Sequence, residues 1–131
     1  MSQPKIEEIL QRGIYGTPET LPEERKLFLG TISERVYLAL TNKQVRKKGI
    51  YSEAQEIMKK HKGIRLYING DLNYPAYSNY VHAANQHSIP FTIVNDGRDT
   101  PLGIVIAVET GISNVEDIFI KDKEFHQDIS E

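Results

Sequence analysis

The chain has 131 residues, 39% hydrophobic and 26% charged, with a net charge of −2 and no cysteine. That length and balance describe one domain able to bury a core without disulfides or metal, and they argue against wholesale disorder. The lack of cysteine excludes disulfides, thiolate metal sites and thiol catalysis together and fits a cytoplasmic protein.

The N-terminal stretch MSQPKIEEIL carries no apolar segment of signal-peptide type, and no run approaches the ~18 apolar residues of a membrane span. Residues 5–12 read as a short helix stopped by Gly13, and GIYGTPETLP (13–22) reads as a loop. Pro22 followed by Glu23 and Glu24 suits a helix start, and Gly30 its end. In RVYLALT (35–41), Val36, Leu38 and Leu40 alternate with Tyr37 and Ala39, which predicts a strand. Thr41 or Asn42 can cap a helix over NKQVRKK, closed by Gly49. Ser52 and Gln55 form an S-x-x-Q capping box for a second helix, with Ala54, Ile57, Met58 and His61 on one face.

IRLYI (64–68) is the second strand and Asn69-Gly70-Asp71 a turn. Asn73 is placed to cap a helix running to about His87, with Pro75 in its first turn. FTIVN (91–95) is a third strand, and residues 96–101 are turn chemistry. LGIVIAV (102–108) is an unbroken apolar run rich in β-branched residues, hence a strand buried on both faces. Val115 to Ile120 is open to a short strand or helix, and the acidic tail over about 122–131 is expected to be poorly ordered. The order strand, helix pair, strand, helix, strand, strand implies an α/β domain spanning 1–131. Its small mixed sheet of about four strands should be mostly parallel and flanked by helices, with the last two strands free to pair as a hairpin.

If the first three strands are parallel, their C-terminal ends share an edge. Open α/β sheets bind ligands outside that edge. Thr41, Asn42, Asn69, Gly70, Asp71, Asn95 and Asp96 fall there, with Lys43 and Arg46 in the first turns of the adjoining helix. Helix N-termini favour anions, and a glycine lets a ligand approach the backbone. Asn, Asp and Gly also serve loops in their own right. Charge is uneven along the chain. Residues 41–65 hold eight Lys/Arg against Glu53 and Glu56, whereas 109–131 hold seven acids against Lys121 and Lys123. Such asymmetry marks either an anion-binding face or two solvated helix surfaces.

Four of the seven tyrosines lie in YINGDLNYPAYSNY (67–80). Tyr77, Val81 and Ala84 make a core face, and three-residue steps rotate Tyr74 and Tyr80 to opposite sides of it, so some tyrosines should be partly exposed. Such rings serve stacking on bases, protein interfaces or half-buried packing. His82 and His87 are five residues apart and do not share a helical face, and no H-E-x-x-H, Walker, G-x-G-x-x-G or G-x-S-x-G motif occurs. The sequence therefore offers no catalytic residue, metal site or cofactor site.

The stretches ERVYLALT (34–41), LYINGDLNY (66–74), IPFTIV (89–94) and TPLGIVIA (100–107), with GIYGTPET (13–20) and RKLFLG (25–30), resemble the YueI-like family of small bacterial proteins. The resemblance covers nearly the whole chain and implies a chorismate-mutase-like α/β sheet, but no activity. A weaker, fold-level likeness is to the kink-turn RNA-binding ribosomal proteins, through Leu40-Thr41-Asn42-Lys43, Ile68 to Asp71, Ile89-Pro90 and Leu102-Gly103. It implies that Asn42, Lys43 and Arg46 face RNA. The chain departs from that pattern, with Leu40-Thr41 in place of the glycine before Asn42 and Lys43 in place of the glutamate after it. Three function classes follow. The first is a non-enzymatic protein binding RNA or a small anionic ligand through the strand ends and the basic segment. The second is a small-molecule-binding or enzymatic domain at the same edge, completed between subunits of a homo-oligomer. The third is a protein–protein adaptor using exposed tyrosines.

Overall fold

The structure, a computed structural model, describes residues 21–95 and 100–129. The helix expected over 5–12, the loop over 13–20, and Asp96 lie outside the described residues. A short helix α1 (Leu21–Leu27) leads through a 3-10 turn (Ser33–Arg35) into β1 (Val36–Thr41). Then come α2 (Asn42–Arg46), α3 (Ser52–Lys60), β2 (Ile64–Asn69), α4 (Tyr74–Gln86), β3 (Phe91–Val94), β4 (Leu102–Val108) and α5 (Lys123–Ile129).

The four strands form one sheet in the order β1-β4-β2-β3. Only β2 and β3 pair in parallel; β4 is antiparallel to both β1 and β2. This corrects the expectation of a mostly parallel sheet and of a β3–β4 hairpin. β1, β2 and β3 do run in one direction, but β4 is inserted between β1 and β2. Its composition explains the placement: Leu102 to Ala107 are all buried, and a strand apolar on both faces belongs at the centre of a sheet.

Each face of the sheet has its own core. Leu38, Leu40, Leu66, Ile68, Ile104 and Ile106 meet α3 and α4 through Ala54, Met58, Tyr77, Tyr80, Val81 and Ala84. Val36, Ala39, Val105 and Ala107 meet Leu27, Phe28, Phe119 and Phe125 on the other side. Two pairings at the strand ends fit closely. A Cβ on Gly103 would lie 2.9 Å from Val45 Cγ2 and 3.0 Å from Leu72 Cδ1, so glycine lets α2 and the β2–α4 turn close over β4.

β1 contains a bulge. Val36 pairs with Ala107 and Leu38 with Ile106, so Tyr37 is an extra residue without an opposite number. Simple alternation would put Tyr37 on the face opposite Leu38. The bulge instead turns it toward the α3 side, where it packs against that core.

Two capping expectations divide. Thr41 and Gln44 form a reciprocal capping box on α2. The box expected at Ser52 is absent: the N-cap of α3 is Tyr51, without a side-chain cap, and Ser52 Oγ donates to Glu53 Oε1 instead. Asn73 is the N-cap of α4 but makes no side-chain cap bond. The residues from Val115 to Ile120 form neither a regular strand nor a helix; a bridge from Phe119 to Ala39 ties them to the outer edge of β1. The tail expected to be poorly ordered forms α5, held by the fully buried Phe125. A seven-residue helix is marginal alone, so this anchor rather than helix propensity accounts for it. No helix among the described residues is long and apolar enough to cross a membrane.

Candidate functional site

Because β1, β2 and β3 share a direction, their C-terminal ends do lie on one edge, beside the start of β4. There most of the predicted residues are tied into the fold by hydrogen bonds. Thr41 Oγ1 accepts from the Gln44 amide at 3.3 Å while Gln44 Oε1 accepts from the Thr41 amide at 2.9 Å. Asn42 donates its backbone N–H to Pro101 O at 2.9 Å and its side-chain amide to Thr100 O at 3.2 Å. Across β4, Asn69 donates to Leu102 O at 3.1 Å and accepts from the Asp71 amide at 2.9 Å. Asn42 and Asn69 thus hold Thr100 to Leu102, where the chain enters β4, from its two sides. Gly70 donates to Val94 O at 2.9 Å, and a Cβ there would lie 2.8 Å from that same oxygen. Asp71 and Asn95 are exposed.

Lys43 and Arg46 are exposed as expected, but Lys43 faces α5. Its amide donates to Asp128 Oδ2 at 2.7 Å and its ammonium to Gln127 Oε1 at 3.1 Å. Lys47 lies 3.5 Å from Glu124 and 4.0 Å from Asp122, with its ammonium 5.3 Å from the Tyr51 ring centre. The basic and acidic segments separated by charge in the sequence therefore meet in space. Among the described residues, Arg46, Lys48, Lys59 and Lys62 make no ion pair.

Asp122 organises this junction. Its carboxylate accepts from the Tyr51 hydroxyl at 2.6 Å, Gln44 Nε2 at 2.9 Å and the Phe125 amide at 3.0 Å. Burial alone would push the carboxyl up; these three donors and the Lys47 charge outweigh it and hold the group below its ordinary value. Burial, reinforced by the bond to Asp122, pushes the Tyr51 phenol well above its ordinary range. Tyr80, fully buried, is raised by desolvation, against which the bond its oxygen accepts from the Tyr51 amide acts only in part.

A different part of the surface forms a cleft. Between α3 and the 115–120 segment, beside β1, lies an open cavity of about 560 Å³. Leu38, Ile57 and Phe119 contribute apolar surface, and Glu53, Glu56 and Asp117 bring carboxylates. Tyr37, aimed here by the β1 bulge, stacks on His61 with ring centres 4.2 Å apart and planes at 27°. None of these residues belongs to the predicted edge. Strand alternation hides the site, because Tyr37 reaches it only through a bulge, which no turn residue announces. Among the described residues, no group of three His, Asp or Glu side chains is placed to hold a metal ion.

The chain is similar to known proteins along nearly its full length. A family model described as a protein of unknown function (DUF1694) matches residues 3–118. The Bacillus subtilis (strain 168) protein described as "Uncharacterized protein YueI" is 45% identical over 130 residues, which cover 98% of each chain. The crystal structure of the YueI protein from Bacillus subtilis matches with a TM-score of 0.82 at 44% identity, covering 95% of this chain and 97% of that one. With a family match over most of its length and a relative of this identity, the chain belongs to the DUF1694 family of YueI-like proteins.

Proposed function

We propose that the protein is a non-enzymatic binding protein that takes a small organic ligand in the cleft between α3 and residues 115–120. The observation that carries this reading is the cleft itself. Its volume of about 560 Å³ falls within the range of small-molecule sites, and apolar walls with a few polar groups are what such sites use. The stacked Tyr37–His61 pair presents a flat surface to a planar guest. Ser52 donates to Glu53 at 3.4 Å, which is not the arrangement of a nucleophile beside a histidine base.

Val115 lines the cleft and is 37% exposed, so Val115→Trp should fill the cavity while shifting stability by no more than about 0.5 kcal/mol. A ligand-observed NMR screen of planar fragments should give hits on the wild-type chain that disappear in this variant. Hits that survive with equal intensity would remove the cleft as the site.

A second reading, binding of RNA, is favoured by one observation: seven of the eight basic residues in 41–65 are exposed, with only Arg65 half-buried. In that reading Lys43 and Arg46 contact phosphate, and the exposed strand-end residues Asp71 and Asn95 line the adjoining edge. The double variant Lys43→Glu/Arg46→Glu should then lose retention on an RNA column at low salt, and wild-type retention should fall steeply as salt rises. Identical elution of the two proteins would end this reading.

A further inference from the structure

Resting on the small-molecule reading of the cleft, we infer that its ligand is an organic cation, a protonated amine carried on a flat or apolar body. The walls decide the charge. Glu53 and Glu56 stand on α3 and Asp117 on the facing segment, and no lysine or arginine among the described residues lines the cavity. Glu53 sits in the first turn of α3 and offsets the positive end of that helix, which leaves Glu56 and Asp117 in excess. Lys60 approaches Glu56 at 3.6 Å, but both side chains are more than half exposed, so this pair neutralises little. A phosphate or carboxylate guest would meet these carboxylates, with His61 the one basic side chain among the described lining residues.

The kind of cation follows from spacing. No three carboxylates or histidines among the described residues converge as metal ligands. A bare divalent ion would therefore find too few oxygens. Carboxylates spread along a cleft floored by Leu38, Ile57 and Phe119 suit a molecule with an apolar body and one charged end. The Tyr37 ring, stacked on His61, offers such a body an aromatic face and the amine a cation–π contact.

Three probes of one shape test this: tryptamine (cation), 3-methylindole (neutral) and indole-3-propionate (anion), titrated into the full chain by NMR at low salt. Tryptamine should bind about fivefold or more tighter than 3-methylindole, with the anion weakest. The preference should shrink in Glu56→Gln/Asp117→Asn and in about 0.5 M salt. Equal binding of all three, or preference for the anion, overturns the cation assignment and leaves the cleft as a small-molecule site. A tryptamine preference that persists undiminished in the double variant overturns the role given to these carboxylates. No binding by any probe at about 1 mM overturns the assignment together with the small-molecule reading.

Discussion

Replacing Phe125 with alanine is expected to destabilise the protein by about 3–5 kcal/mol, the range for removing a buried aromatic ring. Phe125 is 1% exposed and sits in the core on the second sheet face, 5.4 Å from the Phe119 ring centre and tilted 48° to it. The other ties between α5 and the rest are weaker. The Lys47–Glu124 pair is 49% and 26% exposed, and pairs of that kind contribute about 1 kcal/mol or less. Packing of one ring therefore outweighs the visible charge complementarity between α5 and α2. Urea melts should show a lower midpoint. If α5 detaches in the native state, the slope should fall as well, because less surface remains to be exposed on unfolding, and amides 123–129 should lose hydrogen-exchange protection. A loss below about 1 kcal/mol would mean that α5 is not anchored by this ring. The same variant separates the two ways of reading the basic segment. Undocking α5 removes Asp128 from the Lys43 amide and Glu124 from Lys47, so binding to a polyanion column should strengthen if the exposed cations form a functional face, and stay unchanged if they only solvate the surface.

What was legible in the sequence follows the range of the interactions involved. All four strands, α2 to α4 and the Thr41 cap are set by local periodicity and caps, and these stand within a residue or two of expectation. Tyr77, Val81 and Ala84 form the buried face of α4, and Tyr74 is exposed as helical rotation requires. Partner choice is not local. Nothing in residues 91–108 says that β4 skips β3 and enters between β1 and β2; that depends on which neighbours can cover an all-apolar strand on both faces. Residues 122–129 read as an acidic tail because four of the eight are charged, three of them acids, yet one phenylalanine determines their fate. The strand-end edge was legible as a place, but Asn42 and Asn69 there hold the start of β4 and the turn before it, while Asp71 and Asn95 stay exposed. The cleft was not legible at all, since Tyr37 enters it through a bulge and Asp117 through a segment without regular structure.

A large polar effect should come from Asp122→Ala, at about 2–4 kcal/mol: loss of a charged hydrogen bond to Tyr51 plus loss of its bond to the Phe125 amide at the start of α5, each about 1–2 kcal/mol. Gln44 is left less exposed to the change, because its amide also donates to Ile120 O at 2.7 Å. The same carboxylate gives the protein a pH signature. Its folded pKa lies below the ordinary 3.8, so its contribution is complete above that value and is lost as pH falls from 3.8 through the folded pKa. Tyr51 acts with the opposite sense. Its folded pKa lies above the ordinary 10.0, so the neutral phenol supports the fold below that pH and the contribution is lost as pH rises beyond it. Denaturant melts across pH should therefore show an acid limb that Asp122→Ala makes shallower and an alkaline limb, shared with the buried Tyr80, that Tyr51→Phe makes shallower. In a double-mutant cycle at neutral pH the two changes should couple by about 1–2 kcal/mol, since either alone breaks the 2.6 Å bond. Additivity within about 0.5 kcal/mol would show that the two groups act independently, and that α5 is held at this junction by Phe125 and the α5 cap alone.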